Sequence, residues 1–117
     1  MHPIPILTAT ALLLAGTEFA AAASSSRIAE TGAFLLGNAR RCGVADERVV
    51  RAGKVIRELI VAASDDATEQ RAAKSRFAEI FRASAHPEGD GRALIPPCKT
   101  VVMQFERLEQ FHHAGTR

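Results

Sequence analysis

Residues 24–43, SSSRIAETGAFLLGNARRCG, combine a regular helical pattern with the first of the two cysteines in the chain. Ile28, Leu35 and Cys42 recur at heptad spacing, which puts them on one face of a helix. The serines at the start can cap the first turn, and Gly43 stands where a left-handed residue ends a helix. The stretch therefore predicts a helix that ends near Cys42 and carries this cysteine on its core-facing side.

Three further helices are expected from similar signals. Asp46 can cap a second helix, and Asp66 with Glu69 forms the D-x-x-E variant of a capping box before a third. Pro97 suits the first position of a fourth helix. Apolar side chains recur at helical spacing in all three, at Val49, Ala52, Ile56, Leu59 and Ala63, then Ala73, Phe77, Ile80 and Phe81, and finally Cys98, Val101, Phe105, Leu108 and His112. With no Trp or Tyr and many strong helix formers, the composition predicts an all-α domain.

The two cysteines lie at matching positions in this arrangement. Four helices with short connections most simply form a small antiparallel four-helix bundle, in which the end of helix one meets the start of helix four. Cys42 and Cys98 stand at those two ends, so we expect one disulfide between them in an oxidising compartment. The chain-entropy model gives such a bond on the order of 4 kcal/mol. A reactive or metal-binding thiol pair is the alternative, although neither cysteine belongs to a C-x-x-C motif.

An N-terminal export signal would supply that compartment. Residues 6–16, ILTATALLLAG, form an apolar segment, and Ala20–Ala23 offer an A-x-A cleavage site. We expect a signal peptide at 1–23, a helical bundle domain at 24–117, and a periplasmic or secreted location. A retained membrane anchor is the alternative, but Pro5 and Glu18 bracket only about a dozen residues where a span needs about 20.

The chain is mildly basic, and its net charge does not indicate a particular partner. The sequence has 15 Lys and Arg against 13 Asp and Glu, a net charge of +2. One basic group spans the first connection between helices and is a candidate for binding an anionic or protein partner; it comprises Arg40, Arg41, Arg48, Arg51 and Lys54. The alternative is a solvated basic face. Without Trp or Tyr for base stacking, and with an export signal, we expect no nucleic-acid partner.

Two weaker constellations are candidates for metal sites. Glu109 with His112 forms an E-x-x-H pair, and His113 follows, but the second copy that di-iron bundles use is missing, so a solvated helix end is the simpler interpretation. Glu88 and Asp90, each followed by a glycine, resemble a fragment of a calcium loop without its other ligands. We expect no metal, no cofactor and no catalytic residue, since no G-x-S-x-G turn occurs either. The irregular segment 86–96 remains a candidate binding loop by its position.

In its export signal, small mature domain, helical pattern and two separated cysteines, the chain resembles small exported two-cysteine helical proteins of Gram-negative bacteria. Acid-stress periplasmic chaperones share this outline, and that resemblance implies a disulfide-held bundle that loosens at low pH. The aromatic residue that those chaperones carry before the first cysteine is replaced here by Arg41. The function expected first is that of a non-enzymatic partner-binding or accessory protein. The alternatives are a stress chaperone and a small metal protein or enzyme that uses Glu109, His112 or His113.

Overall fold

Four α-helices follow one another in the order that the sequence predicts, and they form a helical bundle. The computed structural model describes residues 24–87 and 95–115, and within these ranges it contains no β-strand, which confirms the all-α class. The proposed signal peptide, 1–23, lies outside the described residues. The helices are α1 (Ser25–Arg41), α2 (Asp46–Ala63), α3 (Ala67–Ala85) and α4 (Cys98–Gly115). None of these helices combines the length and the hydropathy needed to cross a bilayer, as far as the described part of the chain goes.

Both ends of α1 are closed by the residues that the sequence indicates. The Ser24 hydroxyl accepts a hydrogen bond of 3.1 Å from a backbone N–H in the first turn. At the other end Gly43 has a φ of 93°. The N–H of Gly43 donates to the carbonyl of Arg40 at 3.1 Å, and the N–H of Val44 donates to that of Ala39 at 3.0 Å. These two bonds form a Schellman motif, which satisfies carbonyls at the helix end.

The helix α2 begins one residue earlier than an Asp46 cap predicts. Ala45 occupies the N-cap position and makes no side-chain hydrogen bond, while Asp46 is the first helical residue. The Asp46 carboxylate forms an ion pair of 3.1 Å with the Arg40 guanidinium and stands at the positive end of the helix dipole. The prediction of an Asp46 cap is therefore wrong in its mechanism, because Asp46 stabilises this end through its charge.

The start of α3 confirms the predicted cap and adds a contact to α1. Asp66 Oδ1 accepts from the Glu69 N–H at 2.8 Å. The Glu69 carboxylate accepts from the Asp65 N–H at 3.2 Å and from the Ser25 hydroxyl at 2.6 Å. Ser25 is only 2% exposed, so this hydrogen bond fixes the first turn of α1 against the first turn of α3.

The fourth helix starts at Cys98, one residue later than predicted. Pro97 precedes the helix, and its carbonyl accepts the first helical hydrogen bond, from the Val101 N–H at 3.1 Å. Proline suits this place as well, because its missing N–H would have no partner within the helix.

The first helix is the centre of the bundle. It packs most extensively against α3, then against α2 and α4, whereas α3 and α4 have no Cα atoms within 8 Å of each other among the described residues. Small residues on α1 make this possible. A Cβ atom added at Gly37 would lie 2.6 Å from the carbonyl oxygen of Phe81, so the backbones of α1 and α3 approach closely there. The sequence prediction missed this small-residue face, whose buried members include Ala29, Gly32 and Ala33.

The apolar stripes of the other helices are buried in part, and most of the predicted positions on α3 are only half-buried. Val101 and Phe105 of α4 are 2% and 0% exposed, and Ile56 and Ile60 are buried in α2. Leu59, which the pattern assigns to the core, is 44% exposed. Neighbouring residues on a helix point about 100° apart, so the burial of Ile60 turns Leu59 toward solvent.

The predicted disulfide joins the two ends that it was expected to join. The sulfur atoms of Cys42 and Cys98 are 2.08 Å apart, their Cα atoms are 5.5 Å apart, and they are separated by 56 positions in sequence. The Cα separation lies within the ordinary range for disulfides. Cys42 is half-buried against the core, while Cys98 is exposed, so the bond closes the bundle at its surface.

Candidate functional site

Two members of the predicted basic group hold the end of α1 in place. Arg40 pairs with the first residue of α2, as described above. Arg41 donates from Nη2 to the carbonyl of Pro96 at 2.9 Å, from Nε to Asn38 Oδ1 at 2.9 Å, and from Nη1 to Cys98 Sγ at 3.5 Å. Arg41 therefore ties α1 to the segment that leads into α4, beside the disulfide.

Arg48 connects α2 to α4. Its guanidinium donates two hydrogen bonds to the Glu109 carboxylate, at 3.0 and 2.6 Å, and lies over the ring of Phe105. The hydrogen bonds to Glu109 raise the pKa of Arg48, burial lowers it in part, and the charges of Glu109 and Glu106 raise it further. Arg48 is thus permanently charged and engaged within the fold.

Arg51 and Lys54 complete the predicted group, and both are exposed on α2. The structure gives neither of them a hydrogen bond or an ion pair with another described residue. The five basic side chains therefore do not form one shared surface feature. Arg40, Arg41 and Arg48 make contacts with other parts of the fold, whereas Arg51 and Lys54 make no polar contact with any described residue.

The structure describes the side chains of only some of the residues that were considered for metal binding. Glu109 is bound by Arg48, while the side chains of His112 and His113 lie outside the described part of the chain. The segment with Glu88 and Asp90 lies outside it as well. Within the residues that are described, no three His, Cys, Asp or Glu side chains come together in a way that could hold a metal ion.

A groove lies between α2 and α3 on the described surface. It has a volume of about 420 Å³. Leu36 of α1 forms part of its floor, and Val49 and Gly53 line the α2 side. On α3 the rings of Phe77 and Phe81 stack with their centroids 6.1 Å apart and an angle of 9° between their planes. The groove is thus largely apolar inside and has two parallel aromatic rings on its α3 side.

The opening of this groove carries positive charge. Arg57 stands on the α2 side, Arg82 and His86 on the α3 side, and Arg40 at the end of α1. The guanidinium of Arg57 lies over Gly53, with Nη1 3.7 Å from the place that a Cβ atom would take. Among the described residues that line the groove none is acidic. An apolar interior with a basic rim can bind a ligand that is apolar on one side and negatively charged at its edges.

The sequence prediction did not identify this groove. Phe77 and Phe81 have the spacing of core residues, and they do pack against the core, but both remain half-buried and open to the groove on one side. The one signal in the sequence is Val50, an apolar residue outside the α2 stripe, which is 59% exposed at the edge of the groove. A single exposed valine is too common to indicate a site without the structure.

Comparison of the chain with protein-family models, with curated proteins and with solved structures finds no match. Its function is therefore inferred from the geometry of the bundle and its groove.

Proposed function

We propose that this chain is a non-enzymatic, exported, antiparallel four-helix protein that binds a partner protein in the periplasm or outside the cell. The proposal includes cleavage of residues 1–23 and kinship with the small exported two-cysteine helical proteins that the sequence resembles. The observation that carries the binding function is the groove between α2 and α3, because apolar and aromatic side chains face solvent there on a disulfide-closed scaffold.

The disulfide and the N-terminal segment support export together. A Cys42–Cys98 bond persists in oxidising compartments and is rare in the reducing cytosol. Mass spectrometry of the protein recovered from the periplasm of an expressing bacterium tests this part. The expected mass corresponds to a chain starting near Ser24 and lacking two hydrogens. A full-length, reduced chain in the cytosol would contradict it.

The groove itself can be tested before any partner is identified. Random peptides of about 15 residues, long enough for four helical turns, are displayed on phage and selected on the oxidised protein. Synthetic copies of the selected peptides are then titrated by fluorescence anisotropy against two variants. Ala78→Trp places a bulky side chain in the groove, whereas Ala72→Trp makes the same change at an exposed position of α3 outside it.

We expect the selected peptides to bind the wild-type protein and the Ala72→Trp variant equally and to lose affinity for Ala78→Trp. Equal binding to both variants, or a selection that yields no binder, would remove the groove as the binding site. Circular dichroism of both variants checks that the helices are retained.

The same selection separates a specific binder from a stress chaperone. A chaperone binds apolar segments with little preference for their sequence, and exposed apolar side chains such as Val50 and Phe111, 59% and 76% exposed, favour this second candidate. Selected peptides that share no pattern, together with suppression of client aggregation at low pH, would establish the chaperone function instead.

A further inference from the structure

Resting on the binding function proposed above, we propose that the occupant of the groove is an amphipathic helix of the partner protein, with acidic residues on both sides of its apolar stripe. Three features of the described surface point to this occupant. They are the open space between α2 and α3, the fact that both walls of the groove are helices, and the positive charges at its rim.

The open place lies between α2 and α3, and no described residue of α4 lines it. The short link of residues 64–66 holds α2 and α3 together at one end, and the groove opens toward the end of α1. Its lining runs from Val49 to Arg57 on α2 and from Phe77 on α3 to His86, the residue that follows this helix. These stretches correspond to about 12 to 14 Å along a helix axis, or two to three turns. A partner helix of that length would pack against both walls as another member of the bundle.

A helix suits these walls better than an extended segment does. The backbone N–H and carbonyl groups of α2 and α3 are used within each helix, so neither wall offers the open edge that an added β-strand requires. Side chains therefore provide the contacts. An amphipathic helix presents apolar residues at i, i+3, i+4 and i+7, and these can reach the Phe77 and Phe81 rings together.

The rim selects the charge of the partner. Arg57 and Arg82 stand on opposite sides of the opening, both exposed and neither with an acidic partner among the described residues. Arg40 adds a third guanidinium, which also forms an ion pair with Asp46. Acidic residues that flank the apolar stripe of an incoming helix would meet Arg57 on one side and Arg82 on the other, whereas lysines there would be repelled.

The test uses three synthetic peptides of about 15 residues with one apolar stripe and flanks of Glu, Gln or Lys. Each is labelled and titrated against the oxidised protein by fluorescence anisotropy. We expect the Glu peptide to bind about three- to tenfold more tightly than the Gln peptide, as two exposed ion pairs provide, and the Lys peptide to bind most weakly. Added salt should reduce the difference between the Glu and Gln peptides.

Two double variants with the same change in net charge identify the residues responsible. Arg57→Glu with Arg82→Glu reverses the rim, and the preference should turn toward the Lys peptide. Arg71→Glu with Arg107→Glu alters two exposed arginines that do not line the groove, one on α3 and one on α4, and should leave the preference for Glu unchanged. Circular dichroism confirms that both double variants keep their helices.

Equal affinity for the Glu and Gln peptides, or an equal effect of the two double variants, would overturn the inference. The inference would also be overturned if dodecanoate binds, the Ala78→Trp variant loses that binding, and none of the helical peptides binds. That result would assign the groove to a small anionic amphiphile. Sedimentation could also show that the protein associates with itself and that Ala78→Trp abolishes this association. That result would assign the groove to a second copy of the chain and would overturn the inference as well.

Failure of this inference can be told from failure of the proposed function. If selected peptides bind in the groove but show no acidic preference, only this inference fails. If nothing binds there, the proposed function fails with it.

Discussion

Arg48 on α2 and Glu109 on α4 are joined by two hydrogen bonds, from Nε to Oε2 at 3.0 Å and from Nη2 to Oε1 at 2.6 Å. The same guanidinium lies over the buried ring of Phe105, with Cζ 5.4 Å from the ring centroid. Phe105 and Glu109 are one turn apart on α4, so a single side chain holds two points of that helix. The interface of α2 with α4 is the smallest between contacting helices in the described ranges, and Arg48 provides its polar contacts.

The variant Arg48→Lys should lower the midpoint of thermal unfolding. Lysine keeps the charge but loses the planar fork that bonds both carboxylate oxygens and stacks on Phe105. The matched control is Arg51→Lys, at an exposed position of the same helix, and it should leave the midpoint unchanged. Circular dichroism at the helical minimum provides the measurement, and equal midpoints for the two variants would count against a role of the Arg48 contacts.

The contribution of Arg48 should not change in moderately alkaline solution. Its pKa is raised in the folded protein, first by the hydrogen bonds to Glu109. A cation whose pKa is raised on folding contributes stability that is fully present below its ordinary pKa and is lost as pH rises through the raised value. Urea unfolding of wild type and Arg48→Met should therefore differ by the same free energy between about pH 7 and pH 10. A difference that shrinks across this interval would contradict the assignment.

Removing the disulfide should strongly destabilise the protein. The chain-entropy model for a separation of 56 positions gives a loss of about 4 kcal/mol in the free energy of unfolding for Cys42→Ser with Cys98→Ser. Urea unfolding of the oxidised wild type and of the double variant measures it. A reductant should shift only the wild type, and a loss below about 1 kcal/mol would mean that the bundle holds its ends together without the bond.

Two glycines should respond to alanine in opposite directions. At Gly37 the new methyl group would lie 2.6 Å from the Phe81 carbonyl oxygen and 2.6 Å from Ser84 Cβ, so Gly37→Ala should push α3 away and destabilise by roughly 1 to 3 kcal/mol. At Gly53 the nearest atom is 3.7 Å away, and Gly53→Ala should stabilise α2 by about 0.5 to 1 kcal/mol. Chemical unfolding of both variants decides the point; destabilisation of equal size would refute the close approach at Gly37.

Local signals in the sequence were sufficient to place the helices and the disulfide. Ser24, Gly43 and Asp66 act in the structure as their types and positions predicted, because capping depends on residues within one turn. Asp46 and Pro97 each lie one position away from the predicted role, since the acidic or cyclic side chain is also accommodated there. Such errors are local and leave the order of the helices unchanged.

The relative positions of the helices were harder to predict. The small residues of α1, including Gly32 and Gly37, carry no apolar signal, yet they let α1 lie at the centre. The groove could not be predicted either, because Phe77 and Phe81 have the spacing of core residues, and a helical pattern does not show that both rings stay half-exposed between α2 and α3. The basic group was identified by its sequence proximity, whereas Arg57 and Arg82, far apart in sequence, share the rim.

The central place of α1 has a consequence for the order in which the chain folds. This helix is the first of the four to be synthesised, but its neighbours include α4, which is the last. Contacts between distant parts of a chain form slowly, because a long loop must close before they stabilise anything. The buried face of α1 therefore stays incomplete until α4 has emerged, and pairing of Cys42 with Cys98 can only follow. Until then α2 and α3 can cover α1 at Gly32 and Gly37, while the part of α1 that contacts α4 stays exposed.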